Sequence, residues 1–169
     1  GKKILLGVTG GIAAYKSPDL VRRLREQGAE VRVVMTRSAK KLVSAAVFQA
    51  VSGQPVRDDL WDAGAEAAMG HIELARWADA IVVAPATANV LASLAAGRAG
   101  DLLTTLCLVT TAPLVLAPAM NHSMWRHAAT QANCAMLAAR GARFIGPESG
   151  DQACGETGPG RMAEPAQIA

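Results

Sequence analysis

Short, uninterrupted apolar runs alternate with longer helical stretches along this chain, and this alternation limits the fold more than any other feature. The runs cover residues 3–8, 30–35, 80–84, 113–117 and a shorter segment near 143–145. Strands that are apolar on both faces are typical of a parallel sheet with helices on each side. Because crossovers between parallel strands are right-handed, the pattern predicts a doubly wound α/β sandwich of three layers, flavodoxin-like or Rossmann-like.

Helical stretches connect these strands. The first is predicted to follow a glycine turn and to end near Gln27, where Gly28 provides a stop. Residues 54–69 show little periodicity and are predicted to be a loop with short structured pieces. We expect residues 1–169 to form one domain, the N-terminal part of a longer protein. The other predicted helices cover residues 44–52, 87–95, 102–108 and 130–140, and a last one begins at Glu164 and Pro165.

Composition excludes several classes of protein. No apolar run reaches the roughly 18–20 residues that a membrane span requires, and no secretory signal precedes the first strand. The net charge is only +3 and the basic residues are scattered, so we expect no nucleic-acid binding. Three widely spaced cysteines without a CxxC pair favour neither a disulfide framework nor a zinc site. We therefore expect a cytoplasmic protein that binds no metal and no membrane.

Every unusual segment of the chain directly follows a predicted strand. Ligands of doubly wound sheets bind at the carboxyl ends of the strands. This placement therefore predicts one shared site. The segments are Thr9-Gly10-Gly11, Thr36-Arg37-Ser38, residues 85–89 and residues 118–121.

The first two segments indicate the kind of ligand. Glycines after a first strand let backbone N–H groups approach a phosphate, although the spacing is not GxGxxG and a plain strand-to-helix turn is the alternative. Dinucleotide folds usually place Asp or Glu after the second strand. This chain has Thr36, Arg37 and Ser38 there, which suit the phosphate and polar groups of a mononucleotide. The residues favour FMN over NAD.

The segments after the third and fourth strands offer uncharged polar groups. Thr87 either caps the next helix or, with Asn89, hydrogen-bonds the heteroatoms of a flat ring that small side chains allow to lie close. Asp101 can likewise be a helix N-cap. Residues 118–125 contain two Met, one Trp and Asn121, either as a hydrophobic staple or as a site in which the Asn121 amide holds a carboxylate.

One histidine and one cysteine are candidates for proton transfer. His71 is either a structural residue or a base, because an imidazole is mostly neutral at pH 7. His122 and His127 are weaker candidates that we expect to be exposed. Cys154 lies in a glycine-rich segment predicted to be a mobile loop, and a thiol is better equipped there to donate a proton than to attack. The remaining cysteines are expected to be small core residues.

Together these residues resemble the homo-oligomeric flavin-containing cysteine decarboxylases. More narrowly, the chain looks like the decarboxylase half of bacterial bifunctional proteins that also carry phosphopantothenate–cysteine ligase and act in coenzyme A biosynthesis. The resemblance runs from residues 10–16 to residues 160–165. The family's catalytic histidine matches His71, its PASAN-type motif matches residues 85–89 with Thr87 in place of Ser, its PxMNxxMW motif matches residues 118–125, and the cysteine of its substrate clamp matches Cys154.

The resemblance implies FMN-dependent decarboxylation of phosphopantothenoylcysteine to phosphopantetheine through thioaldehyde and enethiol intermediates. It assigns His71 as base, Asn121 as carboxylate holder and Cys154 as acid. It also implies a trimer-based homo-oligomer, often a dodecamer, with sites between subunits. FMN would be held by Gly10, Gly11, Ile12, Ala13, Thr36, Arg37, Ser38, Pro85, Ala86, Thr87, Asn89, Asp101 and Met120, and the phosphorylated substrate by Asn121, Met124, Ala153, Gly155, Arg161 and Met162.

Three other functions stay open at this stage. A peptidyl-cysteine decarboxylase of the same family would release the enethiol. A flavin prenyltransferase would share the sheet but would not need His71, Asn121 and Cys154. A non-catalytic FMN-binding subunit that inhibits a phosphatase would lack the catalytic residues or carry an acidic tail.

Overall fold

The computed structural model describes all of residues 1–169, with a five-stranded parallel sheet at the centre. The strand order is β2-β1-β3-β4-β5, which is the flavodoxin-like order and confirms the predicted doubly wound α/β fold. The chain forms β1 and β2 on one side of the sheet and then crosses to β3 on the other side of β1. The strands are β1 (Lys3–Val8), β2 (Glu30–Met35), β3 (Ala80–Ala86), β4 (Leu114–Pro118) and β5 (Arg143–Phe144).

None of the helices combines the length and the apolar character needed to cross a membrane.

Ten α-helices, one 3-10 helix and a separate hairpin complete the fold. After the 3-10 helix Ile12–Lys16, the helices are α1 (Ser17–Glu26), α2 (Arg37–Lys40), α3 (Ala45–Ser52), α4 (Ala63–Ala68), α5 (His71–Trp77), α6 (Ala88–Ala96), α7 (Leu102–Val109), α8 (His122–Arg126), α9 (Ala128–Ala139) and α10 (Pro165–Ile168), and the antiparallel hairpin consists of β6 (Glu148–Asp151) and β7 (Thr157–Arg161).

Two hydrophobic cores lie on opposite faces of the sheet. Successive side chains of a strand point to opposite faces, so Leu6 of β1 packs with α1, α3 and α10, whereas Leu5 packs with α5, α6, α7 and α9. Both leucines are fully buried. The sheet is therefore covered on both sides, which is the physical reason for the uninterrupted apolar runs.

The third strand is longer than predicted. Pro85 lacks a backbone N–H and was expected to end the strand, but β3 continues to Ala86. The pairing with β4 shifts between Val83 and Ala86, and Ala86 then pairs with Pro118. An irregular pairing accommodates the proline within the strand.

The segment around Cys154, predicted from its glycines to be a mobile loop, lies between two paired strands, and its mobility stays a prediction. Residues 148–161 form the β6–β7 hairpin, with Cys154 in its turn. The glycines permit close contact: a Cβ on Gly158 would lie 2.9 Å from the Cβ of His122, and one on Gly160 would lie 2.2 Å from the carbonyl oxygen of Met120. The hairpin therefore packs tightly against the segment after β4.

Candidate active site

A cavity of about 660 Å³ opens beside the carboxyl ends of β1, β3 and β4. The chain reverses direction across the sheet between β1 and β3, and such a switch point is where doubly wound folds bind ligands. The cavity brings together most of the predicted site residues: Gly10, Gly11, Ile12, Ala13, Thr87, Asn89, Met120, Asn121, Met124, Ala153, Cys154, Arg161 and Met162.

The glycine turn provides unpaired backbone donors. The N–H groups of Gly10, Ile12 and Ala13 donate to no backbone carbonyl. A Cβ on Gly10 would lie 2.3 Å from the Cβ of Ser38, so only glycine allows the turns after β1 and β2 to meet. Free N–H groups beside a serine hydroxyl fit the phosphate of a mononucleotide.

Thr9 begins the first predicted site segment, but no role was predicted for its side chain. Its buried hydroxyl donates to the carbonyl oxygen of Pro85 at 2.6 Å and accepts from the backbone N–H of Thr87 at 3.2 Å. The hydroxyl of Ser17 donates in the same way to the carbonyl oxygen of Ala84 at 2.8 Å. These two hydroxyls fix the glycine turn to the end of β3, and the only sequence signal was a threonine between a strand and two glycines.

Several predicted ligand-binding side chains also cap helices. The side-chain oxygen of Thr36 accepts from Ala39 N, that of Thr87 from Val90 N, that of Asp101 from Thr104 N and that of Asn121 from Ser123 N. The capping alternative is therefore confirmed for Thr87 and Asp101. A cap uses only an oxygen as acceptor, so the Thr87 hydroxyl proton and the Asn121 amide N–H groups can still donate into the cavity.

Several predicted cofactor residues, and the predicted substrate residue Gly155, lie outside this cavity. Thr36, Arg37 and Asp101 line a smaller neighbouring cavity of about 420 Å³ that also contains the exposed Trp61. Ser38 reaches the main site only through its contact with Gly10. Three further predicted residues do not line the cavity. Pro85 lies behind Gly11, Ala86 is fully buried, and Gly155 lies in the hairpin turn with φ +85°.

The hairpin closes one side of the cavity and brings Cys154 to Asn121. The Nδ2 atom of Asn121 lies 3.9 Å from the Sγ atom of Cys154. The Gln152 amide holds this arrangement, because its Oε1 accepts from His122 N at 3.1 Å and its Nε2 donates to the Pro159 carbonyl at 3.0 Å. Gln152 left no signal in the sequence, because its role depends on contacts between distant segments.

His122 also holds the hairpin. Its Nε2 lies 3.1 Å from the Oε2 atom of Glu156, and its side chain is only 18% exposed. The prediction that His122 is exposed is therefore wrong, because β7 covers it. His127 is exposed, as predicted.

His71 does not line the cavity of its own chain. It begins α5, and its imidazole is one-third exposed. The carboxylate of Glu66 accepts from the backbone N–H of His71 at 2.8 Å and also pairs with its Nδ1. The bond to the imidazole is the main reason why the pKa of Glu66 is lowered, and the nearby Arg57 lowers it further.

The three cysteines differ in their surroundings. Burial raises the pKa of Cys107 to about 12 and also raises the pKa of Cys134, so both stay protonated. Cys134 packs in the second core and Cys107 packs against it, as predicted. Cys154 is exposed and is the only one of the three cysteines that lines this cavity.

The fold and the cavity define a flavodoxin-like α/β protein with a mononucleotide-sized site at the switch point of its sheet. The chain belongs to the family described as Flavoprotein, which matches residues 1–169 in full. Family membership and the free donors at Gly10 support a flavin as the cofactor.

One curated relative and two solved structures show which proteins within this family the chain is similar to. The chain is 61% identical over 168 residues to the coenzyme A biosynthesis bifunctional protein CoaBC of Vibrio vulnificus, and the match covers 99% of this chain and 42% of that relative. A solved PPC decarboxylase mutant complexed with pantothenoylaminoethenethiol is 34% identical with a TM-score of 0.84, covering 99% of this chain and 93% of that one. The FMN-dependent cysteine decarboxylase SpaF is also 34% identical, with a TM-score of 0.82 and coverages of 96% and 90%.

Proposed function

We propose that this chain catalyses the FMN-dependent decarboxylation of phosphopantothenoylcysteine (PPC) to phosphopantetheine in coenzyme A biosynthesis. The contact between Asn121 and Cys154 carries the proposal, because it places a carboxylate-binding amide and a thiol proton donor at the same point of one cavity. The similarity to CoaBC and to PPC decarboxylase supports this substrate.

The residues present fit FMN. The unpaired N–H groups at Gly10, Ile12 and Ala13 suit its phosphate, and the small side chains at Ala88 and Ala119 leave room for a flat ring. Bound FMN would supply a hydride acceptor for the carbon that carries the sulfur and later return the hydride. Without such an acceptor, loss of carbon dioxide from a cysteine would leave an unstabilised carbanion.

The chain's own residues would bind the substrate and move its protons. The Asn121 amide donates to the departing carboxylate without adding a charge that would retain its electrons. His71 takes up a proton beside the sulfur-bearing carbon, an effect worth roughly 10²–10⁴ in rate. Cys154, which reaches the cavity from the hairpin turn, donates the proton needed when the enethiol is reduced.

The assembly is part of the same proposal. His71 lies outside the cavity of its own chain, which supports a trimer-based homo-oligomer, up to a dodecamer, in which a neighbouring subunit supplies this imidazole. The chain spans 42% of the length of CoaBC. We therefore propose that residues 1–169 are the N-terminal decarboxylase domain of a longer protein with a ligase domain. The cytoplasmic location stays a prediction.

The test is incubation of the flavin-loaded protein with PPC, with release of carbon dioxide and product mass followed together. The proposal expects carbon dioxide and phosphopantetheine. Accumulation of the enethiol would instead favour a chemistry like that of the peptidyl-cysteine decarboxylases. No release of carbon dioxide would favour a non-catalytic flavin-binding protein.

A Cys154→Ser variant tests the last step. It should still release carbon dioxide but stop at the enethiol or its oxidised product, because the serine hydroxyl is a much weaker acid than the thiol. Cys107→Ala, which removes a thiol outside the cavity, should form phosphopantetheine normally. Normal turnover by Cys154→Ser would show that the role assigned to this thiol is wrong.

A further inference from the structure

His122 contacts the turn of the β6–β7 hairpin on both sides of Cys154. Its backbone N–H donates to the Oε1 atom of Gln152 at 3.1 Å, and its Nε2 atom lies 3.1 Å from the Oε2 atom of Glu156. Gln152 comes two residues before the thiol and Glu156 comes two residues after it. The turn between them is closed, because Gln152 N donates to the Glu156 carbonyl oxygen at 2.8 Å. The position of the thiol therefore depends on both contacts with His122.

The imidazole lies directly against the hairpin. Its side chain is 18% exposed, and a Cβ on Gly158 would lie 2.9 Å from the Cβ of His122. An ionised carboxylate can only accept a hydrogen bond, so Nε2 carries the hydrogen of the pair with Glu156. The Nδ1 atom is buried and has no partner. The one hydrogen-bonding partner of the ring is therefore Glu156, in the turn.

His122 also follows Asn121 directly in the chain. The Nδ2 atom of Asn121 lies 3.9 Å from the Sγ atom of Cys154, and both residues line the cavity, whereas His122 does not. His122 thus joins the two segments that carry the amide and the thiol, without reaching the cavity itself. Any effect of His122 on the reaction must act through the positions of these two side chains.

We propose that His122 is a positioning residue that determines whether the enethiol is reduced before it leaves the site. This inference rests on the proposed function, in which Cys154 donates a proton while the hydride returns to the enethiol. Carbon dioxide leaves before that step, so its release does not require the thiol. When the turn is displaced, the enethiol leaves unreduced, and the hydride taken from that substrate molecule stays on the flavin.

The test is a single anaerobic turnover of PPC on the full-length, flavin-loaded protein. His122→Phe keeps a ring but removes Nε2, and Glu156→Ala removes the partner of Nε2. Each variant should raise the enethiol share of the product about 3- to 10-fold, the factor by which one hydrogen bond shifts an equilibrium. The rate of carbon dioxide release should stay unchanged. Bleached visible absorbance of the flavin should persist in proportion to the enethiol.

Other variants separate positioning from general damage. His122→Gln keeps an N–H donor and should restore part of the phosphopantetheine. The double variant His122→Phe, Glu156→Ala should resemble either single variant, because both remove the same bond. Glu148→Ala is the matched control, because it removes an exposed carboxylate from the hairpin at the end away from the turn. It should change neither the product nor the flavin signal.

Hydrogen exchange provides a measurement that is independent of activity. The backbone N–H of His122 donates to Gln152, so it should exchange faster in Glu156→Ala, in which the turn is held less firmly. The same N–H should keep its protection in Glu148→Ala. Mass spectrometry of the peptide after β4 records both.

The possible results decide between a positioning role and its alternatives. An unchanged enethiol share in both His122→Phe and Glu156→Ala would show that the role assigned to His122 is wrong. Equal losses of carbon dioxide and phosphopantetheine would mean that His122 only stabilises the fold, and would also overturn the role. Should His122→Phe fail to fold, Glu156→Ala decides alone, because the Glu156 side chain is 55% exposed. If the unchanged protein releases no carbon dioxide, the proposed function itself has failed.

Discussion

Among single residues, Glu66 gives His71 its orientation. Its carboxylate pairs with both the backbone N–H and the Nδ1 atom of His71, and Arg57 lies 3.9 Å from the same carboxylate. A carboxylate on Nδ1 favours the tautomer with its proton there, which leaves the Nε2 lone pair free to accept a proton. With His71 as the proposed base, we expect Glu66 to be a positioning residue that acts through this imidazole, five residues farther along the chain.

A Glu66→Gln variant should lower kcat about 10- to 100-fold while KM and bound flavin stay nearly unchanged, since similar orienting partners have effects of this size. Glu66→Asp should restore part of the activity. The matched control is Glu73→Gln, which alters an exposed carboxylate in the first turn of α5. Steady-state kinetics on PPC provide the measurement. A parallel loss of flavin or of thermal stability would show that Glu66 is only structural.

At the scale of elements, the strands could be predicted and the hairpin could not. Because β1 to β4 are buried on both faces, their residues are apolar. A short apolar run can be recognised in the sequence without knowledge of distant contacts. The β6–β7 hairpin has no such pattern, because Gly158 and Gly160 are required by contacts with segments about 40 residues earlier. Helix α4 left no signal either, since none of its residues is buried.

The same distinction applies to the candidate site. The ends of the strands could be located from sequence, so Gly10, Thr87 and Asn121 were predicted and lie together. Lys16 and Gln152 also line the cavity but were not predicted, because each contacts a partner from a distant segment. Side chains that cap a helix and also face the cavity could be assigned either role from sequence, and the structure allows both.

A Gly160→Ala variant tests how the hairpin is held. Its Cβ would lie 2.2 Å from the Met120 carbonyl oxygen, and its φ of +124° disfavours any side chain. We expect the hairpin to move away, at a cost of about 1–3 kcal/mol. The Met120 amide, which donates to the Gly160 carbonyl at 2.9 Å, should then exchange its hydrogen faster.

Hydrogen exchange of the peptide after β4, followed by mass spectrometry, measures this change. Gly100→Ala is the control, because nothing lies within 4 Å of its Cβ and its φ is not left-handed. Unchanged protection of Met120 in Gly160→Ala would mean that the hairpin does not depend on this close contact.

For the whole molecule, the proposed role of His71 implies that more than one chain contributes to each site. The imidazole begins α5, outside the residues that line the cavity, whereas Asn121 and Cys154 lie in it. Large apolar side chains are exposed both at the cavity, at Ile12 and Tyr15, and near His71, at Ile72. These surfaces suit a head-to-tail contact between copies, and such contacts close into rings such as a trimer.

Hybrid assemblies test this shared site. His71→Asn and Asn121→Ala proteins should each be inactive on PPC alone. When the two are unfolded together and refolded in equal amounts, random assembly of a ring pairs an intact His71 with an intact Asn121 at about a quarter of the interfaces. Activity should therefore return to about a quarter of the wild-type value. Refolding each variant separately and then mixing is the control, and it should stay inactive while subunits do not exchange. Hybrids that form, by mass, but remain inactive would mean that both residues serve the same cavity from one chain, and that His71 reaches it by a movement of α5.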